Sequence, residues 1–84
     1  MKKVLKFHAT WCNPCKMLSD TIAGITQELP VEFEEIDIDE NTEMANKFNI
    51  RSIPALVLLD ENGIETHRKV GGMTKTAFME FINQ

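Results

Sequence analysis

The chain begins with a short run of residues that is typical of a β-strand. The residues Lys3–His8 are mostly β-prone types, and alternate side chains of a strand face opposite sides. Leu5 and Phe7 would share one face, whereas Val4 and Lys6 would share the other. We therefore predict a first strand over Lys3–His8.

Apolar residues then recur at intervals of four, three and four positions, which is the spacing of one helical face. These residues are Leu18, Ile22, Ile25 and Leu29. Pro30 follows directly and cannot continue a helix. We therefore predict that the first and longest helix spans Asn13–Leu29.

The segment Val31–Ile38 predicts a second strand whose apolar positions change face midway. Val31 and Phe33 share a face with Glu35, whereas Ile36 points the opposite way. Glu35 is therefore expected to point inward.

A short second helix and a buried third strand should follow. Asn41 or Thr42 is placed to cap the helix, and Ile53-Pro54 prevents its continuation. The unbroken apolar run Ala55–Leu59 predicts a strand that is buried on both faces.

The remainder of the chain predicts a hairpin and a final helix. Asp60–Gly63 has the composition of a turn and would join the third strand to a fourth over Ile64–Val70. Thr74 is placed to cap a helix whose apolar face contains Phe78 and Phe81. The order β-α-β-α-β-β-α predicts an α/β fold, with helices on both faces of a four-stranded mixed sheet.

Composition agrees with one small globular domain over residues 1–84. Hydrophobic residues make up 43% of the chain and charged residues 26%. The net charge of -4 argues against nucleic acid or an anionic membrane as a partner. No stretch approaches the roughly 20 apolar residues that a membrane helix needs. We expect a monomer with no nucleic-acid or membrane partner.

The two cysteines lie three positions apart, in the segment Trp11-Cys12-Asn13-Pro14-Cys15 between the predicted first strand and first helix. A pair this close cannot join distant segments, as the disulfides of small secreted proteins do. Two cysteines confined to one short segment indicate redox chemistry in a reducing compartment. We therefore expect a cytoplasmic location.

The expected reactivity of the two thiols follows from their positions on the helix. At the helix N-terminus, unpaired N–H groups and the positive end of the helix dipole should lower the pKa of Cys12. Cys15 would lie one turn deeper on the same face, within reach of a mixed disulfide on Cys12. Pro14 should limit motion between the sulfurs. We therefore expect Cys12 to be the nucleophile and Cys15 the resolving thiol.

A metal site is the alternative interpretation of the cysteine pair. A closed zinc site needs about four ligands, and only His8 and His67 remain as candidates, with His67 on a distant hairpin strand. We therefore expect no metal and no cofactor beyond the redox-active Cys12-Cys15 disulfide.

The cysteine segment resembles a known motif. The run Trp11-Cys12-Asn13-Pro14-Cys15-Lys16 is similar to Trp-Cys-Gly-Pro-Cys-Lys of the thioredoxin family, with Asn13 in place of glycine. The resemblance continues, in family order and spacing, through Ile36–Asp39, Ile50–Leu56 and Val70–Gly72. The family's leading strand and helix are missing, so the resemblance implies a minimal thioredoxin fold of glutaredoxin size.

The resemblance also implies a substrate-binding surface and a mechanism. Pro54 should be cis and face the disulfide, and the backbone of Ile53 should pair with an extended substrate segment. The residues implied for the contact surface are Trp11, Pro14, Ile53, Pro54, Gly71 and Gly72. The implied function is thiol-disulfide exchange with disulfide-containing target proteins, with a flavin-dependent thioredoxin reductase as electron donor.

One departure from the family affects proton transfer. The family usually has a buried aspartate six residues before the first cysteine and a lysine on the neighbouring strand, whereas this chain has Lys6 and Glu35 there. We hypothesise a charge-reversed pair, in which Glu35 or Lys6 accepts the proton of Cys15. The alternative is that both are solvated charges on the strands.

Two other functions stay open at this point. A glutaredoxin-like enzyme recharged by glutathione is suggested by the short chain and by Gly71-Gly72. However, Asn13-Pro14 replaces the aromatic third motif residue that glutaredoxins usually carry. A thioredoxin-like subunit that only binds a larger enzyme is the third possibility.

Overall fold

The computed structural model describes residues 1–84 and contains four strands, three α-helices and one 3-10 turn. The strands are β1 (Lys3–His8), β2 (Glu32–Asp37), β3 (Ala55–Leu59) and β4 (Glu65–Val70). The helices are α1 (Asn13–Ile22), α2 (Thr42–Lys47) and α3 (Lys75–Ile82), and the 3-10 turn is Thr26–Glu28. The predicted order of elements is confirmed.

The four strands form one mixed sheet in the order β2-β1-β3-β4. β1 runs parallel to β2 and antiparallel to β3, and β4 is antiparallel to β3. β1 is therefore a central strand, and its C-terminal end leads directly to Cys12. Because β1 and β2 are parallel, the loops that follow them leave the sheet at the same edge.

A separate hydrophobic core lies on each face of the sheet. The core on the α1 and α3 side contains Val4, Leu18, Ile22, Val31, Leu56, Leu58, Phe78, Phe81 and Ile82. The core on the α2 side contains Leu5, Phe7, Ile36, Ala55, Val57 and Leu59. This division confirms the alternation predicted for β1 and the burial of β3 on both faces.

The predicted caps of the two later helices are present. The Asn41 side chain accepts a hydrogen bond from the N–H of Met44, and Thr74 Oγ1 accepts one from the N–H of Ala77. These side chains satisfy backbone donors that a helix N-terminus leaves unpaired. Between the two candidates considered for α2, Asn41 is the cap.

The first helix is shorter than predicted. It ends at Ile22 rather than Leu29, because Ala23 leaves the helical region with a ψ of 136° and Gly24 takes a φ of 83°. The left-handed conformation of Gly24 costs little for glycine and interrupts the helix. Ile25 and Leu29 still pack against the core, which explains why their spacing suggested a continuous helix.

Smaller differences concern the strand ends. β2 and β4 each begin one residue later than predicted, and β2 ends at Asp37 rather than Ile38. Such differences are ordinary at element ends, where the ladder hydrogen bonds stop. No helix of the structure has the length and apolar character needed to cross a bilayer.

The packing of α3 generates a stability prediction. Phe78 is fully buried in the core between α1 and α3, with its ring against that of Phe33 at 6.3 Å between centroids. Phe78→Ala should lower the free energy of unfolding by about 3–5 kcal/mol, because a large cavity replaces the ring. Urea denaturation followed by circular dichroism would measure the change.

The matched control for this experiment is Ile64→Ala. Ile64 is 61% exposed, so its truncation should change the free energy of unfolding by less than about 0.5 kcal/mol. Equal losses for the two variants would contradict the packing described for α3.

Candidate active site

Cys12 forms the N-cap of α1, and its sulfur replaces the oxygen that usually caps a helix. Its backbone is extended, with φ of -94° and ψ of 104°, and its Sγ accepts a hydrogen bond of 3.2 Å from the N–H of Cys15. The same two residues are joined by a disulfide, with their Cα atoms 5.2 Å apart. Pro14 occupies the first turn, as predicted. One N–H that the helix would otherwise leave unpaired thus points at Cys12 Sγ.

The disulfide is almost fully buried. Cys12 is 4% exposed and Cys15 is 2% exposed. They form a small apolar cluster with Ala9, against which Ile38 and Ile53 pack. In the oxidised form these neighbouring side chains therefore cover the disulfide almost completely.

The predicted proline loop lies against this cluster. The Ile53-Pro54 peptide bond is cis, which confirms the isomer that the family resemblance implied. The Ile53 side chain packs against the cysteines, and the carbonyl of Pro54 accepts a hydrogen bond of 2.8 Å from the N–H of Gly71. Gly71 has a φ of 98°, a conformation that favours glycine. This hydrogen bond joins the end of β4 to the active-site loop.

Trp11 lies at the edge of the site and is held by a residue that the sequence analysis did not select. Its indole Nε1–H donates to Asp39 Oδ2 at 2.9 Å, while the side chain stays 65% exposed. Asp37 in turn fixes the loop, because its Oδ1 accepts the N–H of Asp39 at 2.8 Å. The contact between Trp11 and Asp39 could have been anticipated, because these residues lie in the loops that follow β1 and β2. The two strands are parallel, so both loops leave the sheet at the same edge.

Pro14 and Gly72 lie close to each other. Both line a groove of about 240 Å³ between α1 and the segment before α3. The remaining lining residues are Met17, Leu18, Thr21 and Met73. Of the residues implied for the substrate surface, Ile53 therefore packs against the cysteines, Gly71 is hydrogen-bonded to Pro54, and Pro14 and Gly72 share this groove. Trp11 directly precedes Cys12 in the chain.

Lys6 and Glu35 form the hypothesised charge-reversed pair, but only the lysine is buried. Lys6 Nζ lies 2.9 Å from Glu35 Oε1 and also donates to Ser19 Oγ. The Lys6 side chain is 1% exposed, whereas the Glu35 side chain is 53% exposed. The expectation that Glu35 points inward is therefore wrong, and so is the alternative of a solvated Lys6. The long lysine side chain spans the core and brings its ammonium to a carboxylate on an edge strand.

Ser19 was not singled out from the sequence. It lies on α1 four residues after Cys15, which places both on the same helical face. A hydroxyl at this spacing carries no distinctive signal, because serine is common on helix surfaces. Only the position of the buried lysine shows that Ser19 belongs to the site.

The two histidines do not form a metal site with the cysteines. No group of three or more His, Cys, Asp or Glu side chains is arranged to hold a metal ion. His67 lies on β4, where its Nδ1 is 3.1 Å from Thr66 Oγ1. His8 ends β1 and is partly buried.

Comparison with known proteins agrees with this geometry. The thioredoxin family profile matches residues 1–84. The chain belongs to the thioredoxin family. The thioredoxin of Rickettsia bellii is 42% identical over 82 residues, covering 95% of this chain and 77% of that relative. The thioredoxin of Bacillus subtilis is 38% identical over 80 residues, covering 93% of this chain and 76% of that relative.

Solved thioredoxin structures share the fold. The structure of Fasciola hepatica thioredoxin superposes with a TM-score of 0.88 at 32% identity, covering 98% of this chain and 78% of that chain. The predicted minimal thioredoxin fold is thereby confirmed. With its Cys12-Cys15 pair, this thioredoxin-family chain is a thiol-disulfide oxidoreductase that acts on protein disulfides.

The hydrogen bond from Trp11 generates a prediction about activity. In Asp39→Ala the exposed indole loses its acceptor and no longer keeps one orientation beside Cys12. Loss of one such bond should lower kcat/KM for insulin-disulfide reduction by about two- to tenfold, without a comparable loss of stability.

Glu40→Ala is the matched control, because only the backbone N–H of Glu40 takes part in the loop, at 3.3 Å from Asp37 Oδ1. If Glu40→Ala and Asp39→Ala reduced kcat/KM equally, the effect would come from the loss of negative charge rather than from Trp11.

Proposed function

We propose that the chain is a general protein-disulfide reductase, with Cys12 as the nucleophile and Cys15 as the resolving thiol. The observation that carries this proposal is the position of Cys12 Sγ at the N-cap of α1, 3.2 Å from the N–H of Cys15. A sulfur there receives the favourable field of the helix N-terminus, which stabilises a thiolate. Cys15 has no comparable cap contact.

The exchange proceeds in two displacements. The Cys12 thiolate attacks one sulfur of the target disulfide, and the other target sulfur leaves as a thiolate that takes a proton from water. Cys15 then gives up its proton and its thiolate attacks Cys12 Sγ, which forms the Cys12-Cys15 disulfide and releases the second target sulfur as a thiolate that also takes a proton from water. The target gains two electrons and two protons, and the enzyme loses them.

The target would bind across the surface around the disulfide. Ile53 packs against the cysteines, so the backbone at this position is placed to pair with an extended target segment. Trp11 provides an exposed aromatic surface on one side. Pro14 and Gly72 line a groove beside α1, where the absence of a side chain on Gly72 allows close approach of a target backbone.

The pair beneath the site would take up the proton of Cys15. We assign Glu35 as the acceptor, because Lys6 is engaged in an ion pair and is sealed from water. The half-exposed carboxylate exchanges its proton with solvent, so it is ready again for the next turnover.

Members of the thioredoxin family are generally reduced by thioredoxin reductase, and we propose a flavin-dependent reductase of this kind as the electron donor. The use of both cysteines in one motif is consistent with a reducing compartment, and we propose the cytoplasm. The cysteine pair itself carries the electrons, so no further cofactor is invoked.

The division of roles between the cysteines is testable by trapping. Cys15→Ser should stop turnover and leave a stable mixed disulfide with insulin, because the second displacement lacks its thiolate. Cys12→Ser should give neither turnover nor adduct. Mass spectrometry of the trapped species would identify the linked cysteine, and an adduct formed by Cys12→Ser through Cys15 would reverse the assignment.

The donor is testable by separate recycling assays. Insulin reduction should proceed with NADPH and thioredoxin reductase, and should stay near background with glutathione and glutathione reductase. The active motif carries Asn13-Pro14 rather than an aromatic third residue. Efficient recycling by glutathione alone would favour the glutaredoxin-like function instead.

A further inference from the structure

Lys6 is the only charged residue that is fully buried, and the structure holds its ammonium at one place. Nζ donates to Ser19 Oγ on α1 and to Glu35 Oε1 on β2. An ammonium has three donors and no acceptor, so these two contacts define where the charge lies. Because Ser19 is one helical turn after Cys15, the charge lies beneath the resolving thiol.

The charges of the pair act unequally on Cys15. Lys6 is 1% exposed, so its charge is weakly screened, whereas the 53% exposed Glu35 carboxylate is screened by water. The other titratable group on the same face of β1 is His8, at the strand end. The facing positions of β3 are the apolar Leu56 and Leu58. The field at Cys15 from this cluster is therefore positive.

A cavity connects the cluster to solvent without exposing Lys6. It has a volume of about 270 Å³ and is lined by Ser19 and Glu35 together with Ile22, Ala23, Thr26 and Phe33. Water thus reaches the two partners of the ammonium but not the ammonium itself. Glu35 is therefore open to solvent, whereas Lys6 is not.

We infer that Ser19 is a positioning residue, which holds the buried Lys6 ammonium beneath Cys15 so that this fixed charge stabilises the thiolate formed there during resolution. The inference rests on the proposed role of Cys15 as resolving thiol. It assigns Lys6 an electrostatic role and leaves proton exchange to Glu35. Loss of the charge, or of its position, makes the Cys15 thiol harder to ionise.

The reaction with 5,5'-dithiobis(2-nitrobenzoate) separates the two steps. The reduced protein releases one thionitrobenzoate when the Cys12 thiolate attacks, which leaves a mixed disulfide on Cys12. A second thionitrobenzoate is released when the Cys15 thiolate attacks Cys12 Sγ. Stopped-flow measurement of both releases between about pH 5 and pH 9 covers the range in which perturbed thiols titrate.

Ser19→Ala and Lys6→Met should raise the pH midpoint of the second release, which is the pH at which its rate is half of the maximum. The second release near neutral pH should slow by about three- to tenfold in Ser19→Ala and by more in Lys6→Met. The first release should change less, because Cys12 is a further turn away. Ser19→Thr, which retains the hydroxyl, should restore the midpoint.

Thr66→Ala is the matched control for the loss of one hydroxyl. The Thr66 hydroxyl lies on β4, where it donates to the carbonyl of Leu58 and does not contact Lys6, so its removal should leave both releases unchanged. Lys6→Met keeps a long apolar side chain in the core and leaves Glu35 half exposed, so the variant is expected to fold. Circular dichroism would confirm this.

An unchanged midpoint of the second release in both Ser19→Ala and Lys6→Met would overturn the inference. A slower second release in Ser19→Ala with no shift of its midpoint would also overturn it, since that result indicates only a packing role. Failure of the proposed function is distinguishable, because Cys12→Ser would then form the trapped adduct through Cys15, or the unsubstituted protein would show no second release.

Discussion

The active site depends on one physical constraint, which is that the first turn of a helix leaves backbone N–H groups without partners. In this chain a sulfur rather than an oxygen occupies the capping position, and the N–H of Cys15 points at Cys12 Sγ. The helix field and the cap contact act on the same atom. Pro14 fits the same turn because it has no N–H to leave unpaired. Reactivity at Cys12 is therefore a property of the backbone as much as of the thiol.

The sheet order brings the other parts of the site to this helix end. The parallel pairing of β1 with β2 places the loop with Asp39 beside Trp11, and the antiparallel β3 and β4 place Pro54 and Gly71 on the other side. Each contact joins residues that are far apart in sequence. The result is a disulfide that is almost covered in the oxidised form, with the Ile53 side chain packed against it.

The cluster beneath the disulfide shows how a buried charge is tolerated. Lys6 crosses the core with its aliphatic stem among apolar residues, and its ammonium reaches a hydroxyl and a carboxylate at the sheet edge. Burying this charge without partners would cost several kcal/mol. The cation and the anion therefore depend on each other, yet only the cation is sealed from water. That asymmetry gives the cluster a net field at the neighbouring thiol.

The sequence alone determined the order of elements, the Thr74 cap and the cysteine chemistry, because these follow from local periodicity and spacing, whereas it left Asn41 and Thr42 as alternative caps of α2. Family resemblance supplied the cis Pro54. The sequence did not determine that α1 ends at Ile22, since Ile25 and Leu29 keep helical spacing while packing through a turn and a 3-10 segment. The exposure of Glu35 and the roles of Ser19 and Asp39 depended on packing between elements. Burial and hydrogen bonding across the sheet are long-range properties, so only the tertiary structure decided them.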